Sequence, residues 1–137
     1  MVYKVVFNAT FFSSKRKENI IMEKSDLLIY KKYTDLYYYA YNLLEKFPKS
    51  ERFGLASDIK NSMNTTIRNM LYAQKMGKEY KMKYLNMIDA ELLYQRFSIR
   101  LSYNKRYISS NNYKTWSLKV AEIGKMLGGW IKSCQNA

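Results

Sequence analysis

Histidine is absent from this chain, cysteine and proline each occur once, and glycine occurs five times in 137 residues. Each shortage excludes something. Without histidine the commonest general base and the commonest metal ligand are missing. A di-iron site of the Glu-x-x-His kind, which helical bundles often carry, cannot be assembled. The lone thiol, Cys134, can form no disulfide within the chain, so a reducing, cytoplasmic setting is expected. With no imidazole to activate it, Cys134 reads as a structural or incidental thiol and not as a nucleophile. The scarcity of proline and glycine argues against a turn-rich β-sandwich and for long, uninterrupted helices. The phosphate-cradling G-x-x-x-x-G-K-[ST], the dinucleotide G-x-G-x-x-G and the nucleophile elbow G-x-S-x-G are also missing. Asp89 and Glu91 stand two apart and do not share a helix face. Neither catalysis nor a metal or cofactor is expected.

What the chain has in excess is positive charge. Lys and Arg number 24 against 11 acidic residues, a net charge of +13. Residues 22–48 are balanced, so the excess lies over the rest of the sequence. A domain of this kind attracts polyanions: nucleic acid, an acidic protein face or an anionic membrane. The ordinary alternative is a set of solvated lysine-rich faces. The apolar run at the N-terminus is short, is broken by Asn8 and is followed by most of its positive charge. It makes a poor signal peptide and is far too short to span a bilayer, and no membrane partner is expected. Residues 1–21 read as an accessory or poorly ordered extension, or as sequence upstream of a start at Met22. Residues 22–137 read as one domain.

Hydrophobic spacing divides that domain into four helices. Over residues 26–47, Ile29, Tyr33, Leu36, Ala40, Leu43 and Phe47 recur at helical spacing, with Ser25 or Asp26 as N-cap and Pro48 as the stop. Residues 50–76 form the second helix, capped by Ser50, with Gly77 just past its end. Its stripe is Leu55, Ile59, Met63, Ile67, Met70 and Leu71. Residues 78–103 form the third, with Leu85, Ile88, Leu92 and Ile99 on the seam and Tyr84, Leu93 and Phe97 widening it. Ser109 or Ser110 caps the fourth, whose seam of Tyr113, Trp116, Val120, Ile123, Leu127 and Trp130 is the cleanest heptad in the chain. A short link forces the first pair antiparallel. The expected fold is all-α, an antiparallel up-down-up-down four-helix bundle.

Binding remains as the function class. Lys81, Arg96, Arg100, Lys105 and Arg106 lie on or just beyond the third helix, and Arg96 and Arg100 are i, i+4 neighbours. Guanidinium forks suit phosphate. Lys60, Arg68 and Lys75 form a second row on the second helix, and two such rows on adjacent helices would make a stripe along a phosphate backbone. In "YTDLYYYAY", Tyr33 belongs to the seam. Tyr37, Tyr38 and Tyr39 cannot all be in one core, and they serve either as stacking platforms for unpaired bases or as a subunit interface. The neutral first helix favours the interface. Gly124 and Gly128 share a helix face beside Trp130, which suits a close-packing face within the bundle or between subunits. Alternatively, Gly128 and Gly129 only loosen the last turns.

At "EKFPKSERFGLASDI", residues 45–59, and at "EIGKMLGGWIKS", residues 122–133, the chain resembles the accessory variability determinant (Avd) proteins of diversity-generating retroelements. The resemblance covers about residues 24–133. The first motif is shared with a sister family, the four-helix proteins encoded in ribosomal-RNA intervening sequences. That sister continues with a Ser-Ile-Pro-x-Asn-Ile-Ala-Glu-Gly-like run, whereas this chain has "SMNTTIRNM", which favours the Avd side. The resemblance implies a four-helix bundle without a catalytic site that assembles as a homopentamer with a basic surface. It further implies binding of RNA or cDNA and of the element's reverse transcriptase, in support of mutagenic retrohoming, in a bacterial or phage-encoded setting. The alternative is an oligomeric scaffold that binds an acidic protein partner and no nucleic acid.

Overall fold

The computed structural model describes residues 24–136, and the expected extension over residues 1–21 lies outside them. Four helices follow in order: α1, Lys24–Leu44; α2, Leu55–Lys75; α3, Lys78–Asn104; and α4, Ser110–Gln135. A single 3-10 turn, Lys49–Glu51, precedes α2. Each helix packs on the next and α4 packs back on α1, most extensively between α2 and α3. The pairs run antiparallel. The Tyr72 ring near the end of α2 meets Tyr84 near the start of α3 at 5.3 Å, and Tyr103 stacks on Tyr113 at 4.5 Å across the α3–α4 turn. The chain is the up-down-up-down bundle that the heptad spacing predicts.

The seams of α1 and α4 fill the core as expected. Ile29, Tyr33, Leu36, Ala40, Leu43 and Phe47 are buried, as are Trp116, Val120, Ile123, Leu127 and Trp130. Helix α1 already includes Lys24, so the backbone of Ser25 and Asp26, the expected caps, is helical. It stops at Leu44, three residues before Phe47. The chain then turns through Lys46 N–H to Leu43 O at 3.0 Å and Phe47 N–H to Leu44 O at 3.1 Å, which keeps the Phe47 ring inside while Pro48 forbids a further turn.

The link into α2 is longer than expected, running over residues 45–54. Ser50 caps nothing there. The capping oxygen comes from Glu51, whose Oε1 accepts the Leu55 N–H at 3.1 Å while Oε2 accepts the Tyr107 hydroxyl at 2.7 Å. Gly54 makes this possible, because a Cβ on it would stand 2.7 Å from Glu51 Oε1. One carboxylate thus ties the first and third connections together at the same end of the bundle, where Phe47 and Tyr107 pack ring on ring at 5.3 Å. Gly77 follows the extended Met76 with an ordinary negative φ and stands at the N-cap position of α3.

The buried face of α2 is rotated from the expected stripe. Leu71 is exposed and Leu55 and Ile67 are only half-buried, whereas Ala56, Ser62, Thr66, Asn69 and Ala73 are inside. Polar contacts with α3 turn it. Gln95 replaces an apolar residue on the α3 seam, donating through Nε2 to Ser62 Oγ at 2.9 Å and Thr66 Oγ1 at 3.0 Å and accepting the Tyr33 hydroxyl at 2.8 Å. Ser62 Oγ in turn donates to Glu91 Oε1 at 2.7 Å. On α3, Tyr84 is half-buried as expected, but Leu93 and Phe97 are 59% and 57% exposed and do not widen the seam. The Ser109 hydroxyl caps α4 by accepting the Asn112 N–H at 3.0 Å.

Candidate nucleic-acid interface

The two expected basic rows do not meet. On α2, Lys60 leans toward α1, its Nζ 4.2 Å from the Tyr41 ring centroid, and Asn64 on the same side accepts the Tyr37 hydroxyl at 2.7 Å. Arg68 and Lys75 follow Lys60 at two-turn spacing and are exposed on that flank. On α3, Arg96 leans toward α4, with its guanidinium 3.0 Å from the position a Cβ on Gly124 would take. Arg100 follows it four residues on, and both are exposed. Because α2 and α3 pack side by side, with α1 beyond one and α4 beyond the other, the rows occupy opposite flanks.

The remaining cations sit at the two ends. Lys81 is half-buried, its Nζ 6.0 Å from the ring centroid of Trp130, at the end where α4 finishes. Lys105 and Arg106 are exposed at the opposite end. Arg106 adopts a left-handed backbone, φ 63°, in a Schellman turn: its N–H bonds Tyr103 O, and the Tyr107 N–H bonds Ser102 O, each at 2.9 Å. Glycine is the usual residue there. The Glu51 carboxyl lies below its ordinary range because the Tyr107 hydroxyl and the Leu55 N–H both donate to it, with the Lys105 ammonium adding to the effect. The same bond raises the Tyr107 hydroxyl. Lys49 and Arg52 share this end and were missed in sequence, where Lys49 falls in the short link and Arg52 in the expected first turn of the second helix. Their presence inside the 45–59 motif was the available signal.

A model of the family described as bAvd-like matches residues 27–134. The chain belongs to the bAvd-like family. The match runs from α1 to α4, so it spans the whole described bundle. The bAvd-like chain is also similar in fold to a crystal structure of a protein of unknown function from the S23 ribosomal protein family of Bacteroides thetaiotaomicron VPI-5482. The TM-score is 0.72 at 21% identity, over 79% of this chain and 98% of the other. No curated protein matches.

Within this bAvd-like bundle the tyrosines of α1 divide by direction. Tyr33 is in the core, where burial holds its hydroxyl far above the usual range. Tyr37 spends its hydroxyl on Asn64 and stacks on Tyr41 at 6.1 Å, so it braces α1 against α2. Tyr39 reaches the other way, donating to Asn112 Oδ1 at 3.1 Å beneath the Lys119 ammonium. Burial raises the hydroxyls of both Tyr37 and Tyr39. Tyr38 is the exposed member of the triplet. Of the glycines, Gly124 packs against Arg96, but a Cβ on Gly128 or Gly129 would meet nothing within 4 Å. The close packing expected at Gly128 is therefore not made among the described residues, and the Trp130 ring beside it is buried in the core. Among the described residues no group of three or more His, Cys, Asp or Glu side chains is placed to hold a metal ion, and no helix is long and apolar enough to cross a membrane.

Proposed function

We propose that this protein is a non-enzymatic accessory factor of a diversity-generating retroelement that binds nucleic acid, template RNA or cDNA, together with the element's reverse transcriptase. Membership of the bAvd-like family on a chain of net charge +13 carries the reading. The mechanism is electrostatic: a basic surface holds the strand near the polymerase, raising its effective concentration and constraining its path. The α2 flank, with Lys60, Arg68 and Lys75, and the end carrying Lys49, Arg52, Lys105 and Arg106 supply that surface.

The α3 flank is assigned to protein. Leu93 and Phe97, both more than half exposed, alternate along it with Arg96 and Arg100. Aromatic and arginine side chains gather at protein interfaces, while a phosphate-binding strip has no use for exposed Leu93. Its occupant is a second copy or the reverse transcriptase, and the homo-oligomer is a pentamer by family resemblance. An acidic partner met on this flank without nucleic acid elsewhere is the second reading, favoured by the same exposed side chains.

Fluorescence anisotropy with labelled template RNA at stepped salt tests the leading reading. The logarithm of the affinity should fall linearly with log salt, by roughly 0.7 for each phosphate neutralised on a single strand. No detectable binding at low salt would overturn it and leave the protein-only scaffold. Light scattering tests the oligomer, and a monomer mass would count against it.

A further inference from the structure

The connection from α1 to α2 and the start of α2 line a partly open cavity of about 300 Å³. Three cations line it, Lys49, Arg52 and Lys60, against one carboxylate, Glu45. None of the three forms an ion pair among the described residues. Phe47, Pro48 and Ala56 provide an apolar wall. The volume is at the small end of ligand sites and suits one nucleotide, not a duplex. Unpaired cations on an apolar wall in a cavity of that size favour a phosphate ester over a carboxylate peptide, because guanidinium and ammonium together match a tetrahedral oxyanion with several acceptors.

A second observation stands one residue along from Arg52. Phe53 is 90% exposed. Its backbone is not loose. The Arg52 N–H bonds Lys49 O at 3.1 Å and the Gly54 N–H bonds Glu51 O at 3.1 Å, while both oxygens of Glu51 are engaged. A large aromatic ring is thus presented to solvent by a fixed loop beside a positively charged cavity. Aromatic platforms next to cations are how proteins hold unpaired bases, since every base has a face to stack and a phosphate to neutralise. Lys60 also begins the α2 row, so a strand entering the cavity can continue past Arg68 toward Lys75, 15 residues on by number, about 22 Å at ~1.5 Å per residue.

We propose that this end of the bundle is a single-nucleotide site for single-stranded nucleic acid. Lys49, Arg52 and Lys60 take one backbone phosphate in the cavity, and Phe53 stacks the adjoining base. The proposal rests on the nucleic-acid reading above and adds its location, its strand preference and its aromatic contact. It also gives the 45–59 motif a role beyond making a turn.

The test is anisotropy with a labelled single-stranded RNA 12-mer and the same 12-mer annealed to its complement. The proteins are the full chain and the variants Phe53→Ala and Lys49→Gln/Arg52→Gln, each checked by circular dichroism. Phe53→Ala should weaken single-strand binding roughly tenfold and leave duplex binding unchanged. The double variant should weaken single-strand binding and flatten the log–log salt slope by roughly 0.7, the share of the one phosphate held there. Single-strand binding unchanged in both variants would overturn the site while leaving the nucleic-acid reading intact. No strand binding by the unmodified chain would overturn the reading itself. Binding of adenosine 5′-monophosphate without binding of the strand would assign the cavity to a free nucleotide and also overturn the proposal. So would a Phe53→Ala variant that binds RNA normally but changes its oligomeric mass.

Discussion

Gln95 is the residue to perturb first. It occupies a seam position of α3, is 1% exposed, and makes three hydrogen bonds there, to Tyr33, Ser62 and Thr66. Gln95→Leu keeps the volume and removes all three. Ser62 and Thr66 keep acceptors of their own, in Glu91 Oε1 and Ser62 O, so the group that loses its acceptor is the fully buried Tyr33 hydroxyl, with only the Thr66 hydroxyl beside it as a substitute. A buried donor without a partner costs about 1–3 kcal/mol, and the apolar leucine recovers part of that, for a net loss of about 2 kcal/mol. Tyr33→Phe alone strands Gln95 Oε1 at a cost of about 1–2 kcal/mol. The double variant removes both partners, so its cost should fall short of the sum of the singles by about 2 kcal/mol. Urea unfolding measures this, and a loss of that size moves the midpoint by about 1 M. Additive singles would refute the reasoning. The pH dependence gives a second check. Burial raises the Tyr33 hydroxyl above its ordinary value of 10.0, so the folded state prefers it neutral. Stability is full below that ordinary value and is lost as pH rises beyond it, and Tyr33→Phe should remove that alkaline loss.

Two further predictions concern the end of the bundle that carries the cavity. Glu51 is depressed in the fold, so its contribution is present above its ordinary value of 4.5 and is lost as pH falls through the lower folded value. Glu51→Gln should therefore flatten the acid side of the stability profile measured by chemical denaturation, and an unchanged acid slope would contradict the assigned contacts. Arg106 holds a left-handed backbone at φ 63°, so Arg106→Gly should raise stability by about 1 kcal/mol. The same variant should lower RNA affinity at low salt if the guanidinium justifies its place.

The fold was legible because its signals are local and repeated. The seams of α1 and α4 needed only spacing, and Ser109 capped where a serine before a periodic run should. What was not legible depended on which face a neighbour selects. The α2 stripe was expected through Leu71, yet Ser62, Thr66 and Asn69 are inside, because Gln95 on another helix satisfies Ser62 and Thr66. Period alone cannot price a polar group whose partner lies 33 residues away. Leu93 and Phe97 failed in the opposite sense, being apolar at helical spacing but past the edge of the seam. The candidate site was half legible. Arg68 and Lys75 are legible from charge and spacing and are exposed, while Lys49 fell in the expected short link and Arg52 and Phe53 in the expected first turn of a helix that in fact begins at Leu55.

Separating the two arginine- and lysine-bearing flanks changes what one copy can do. A strand lying along Lys60, Arg68 and Lys75 cannot also touch Arg96 and Arg100, because the α2–α3 seam and the width of the bundle stand between them. One phosphate track on the α2 flank would therefore use fewer cations than the net charge suggests. Arg96 and Arg100 are set among exposed apolar side chains, and the Arg96 guanidinium lies over Gly124. The opposite flank has the reverse character: Arg68 and Lys75 are exposed lysine and arginine ends in line with a cavity, free to follow a backbone. The proposed division, protein on α3 and strand on α2, rests on where each row lies and on the apolar side chains set among Arg96 and Arg100.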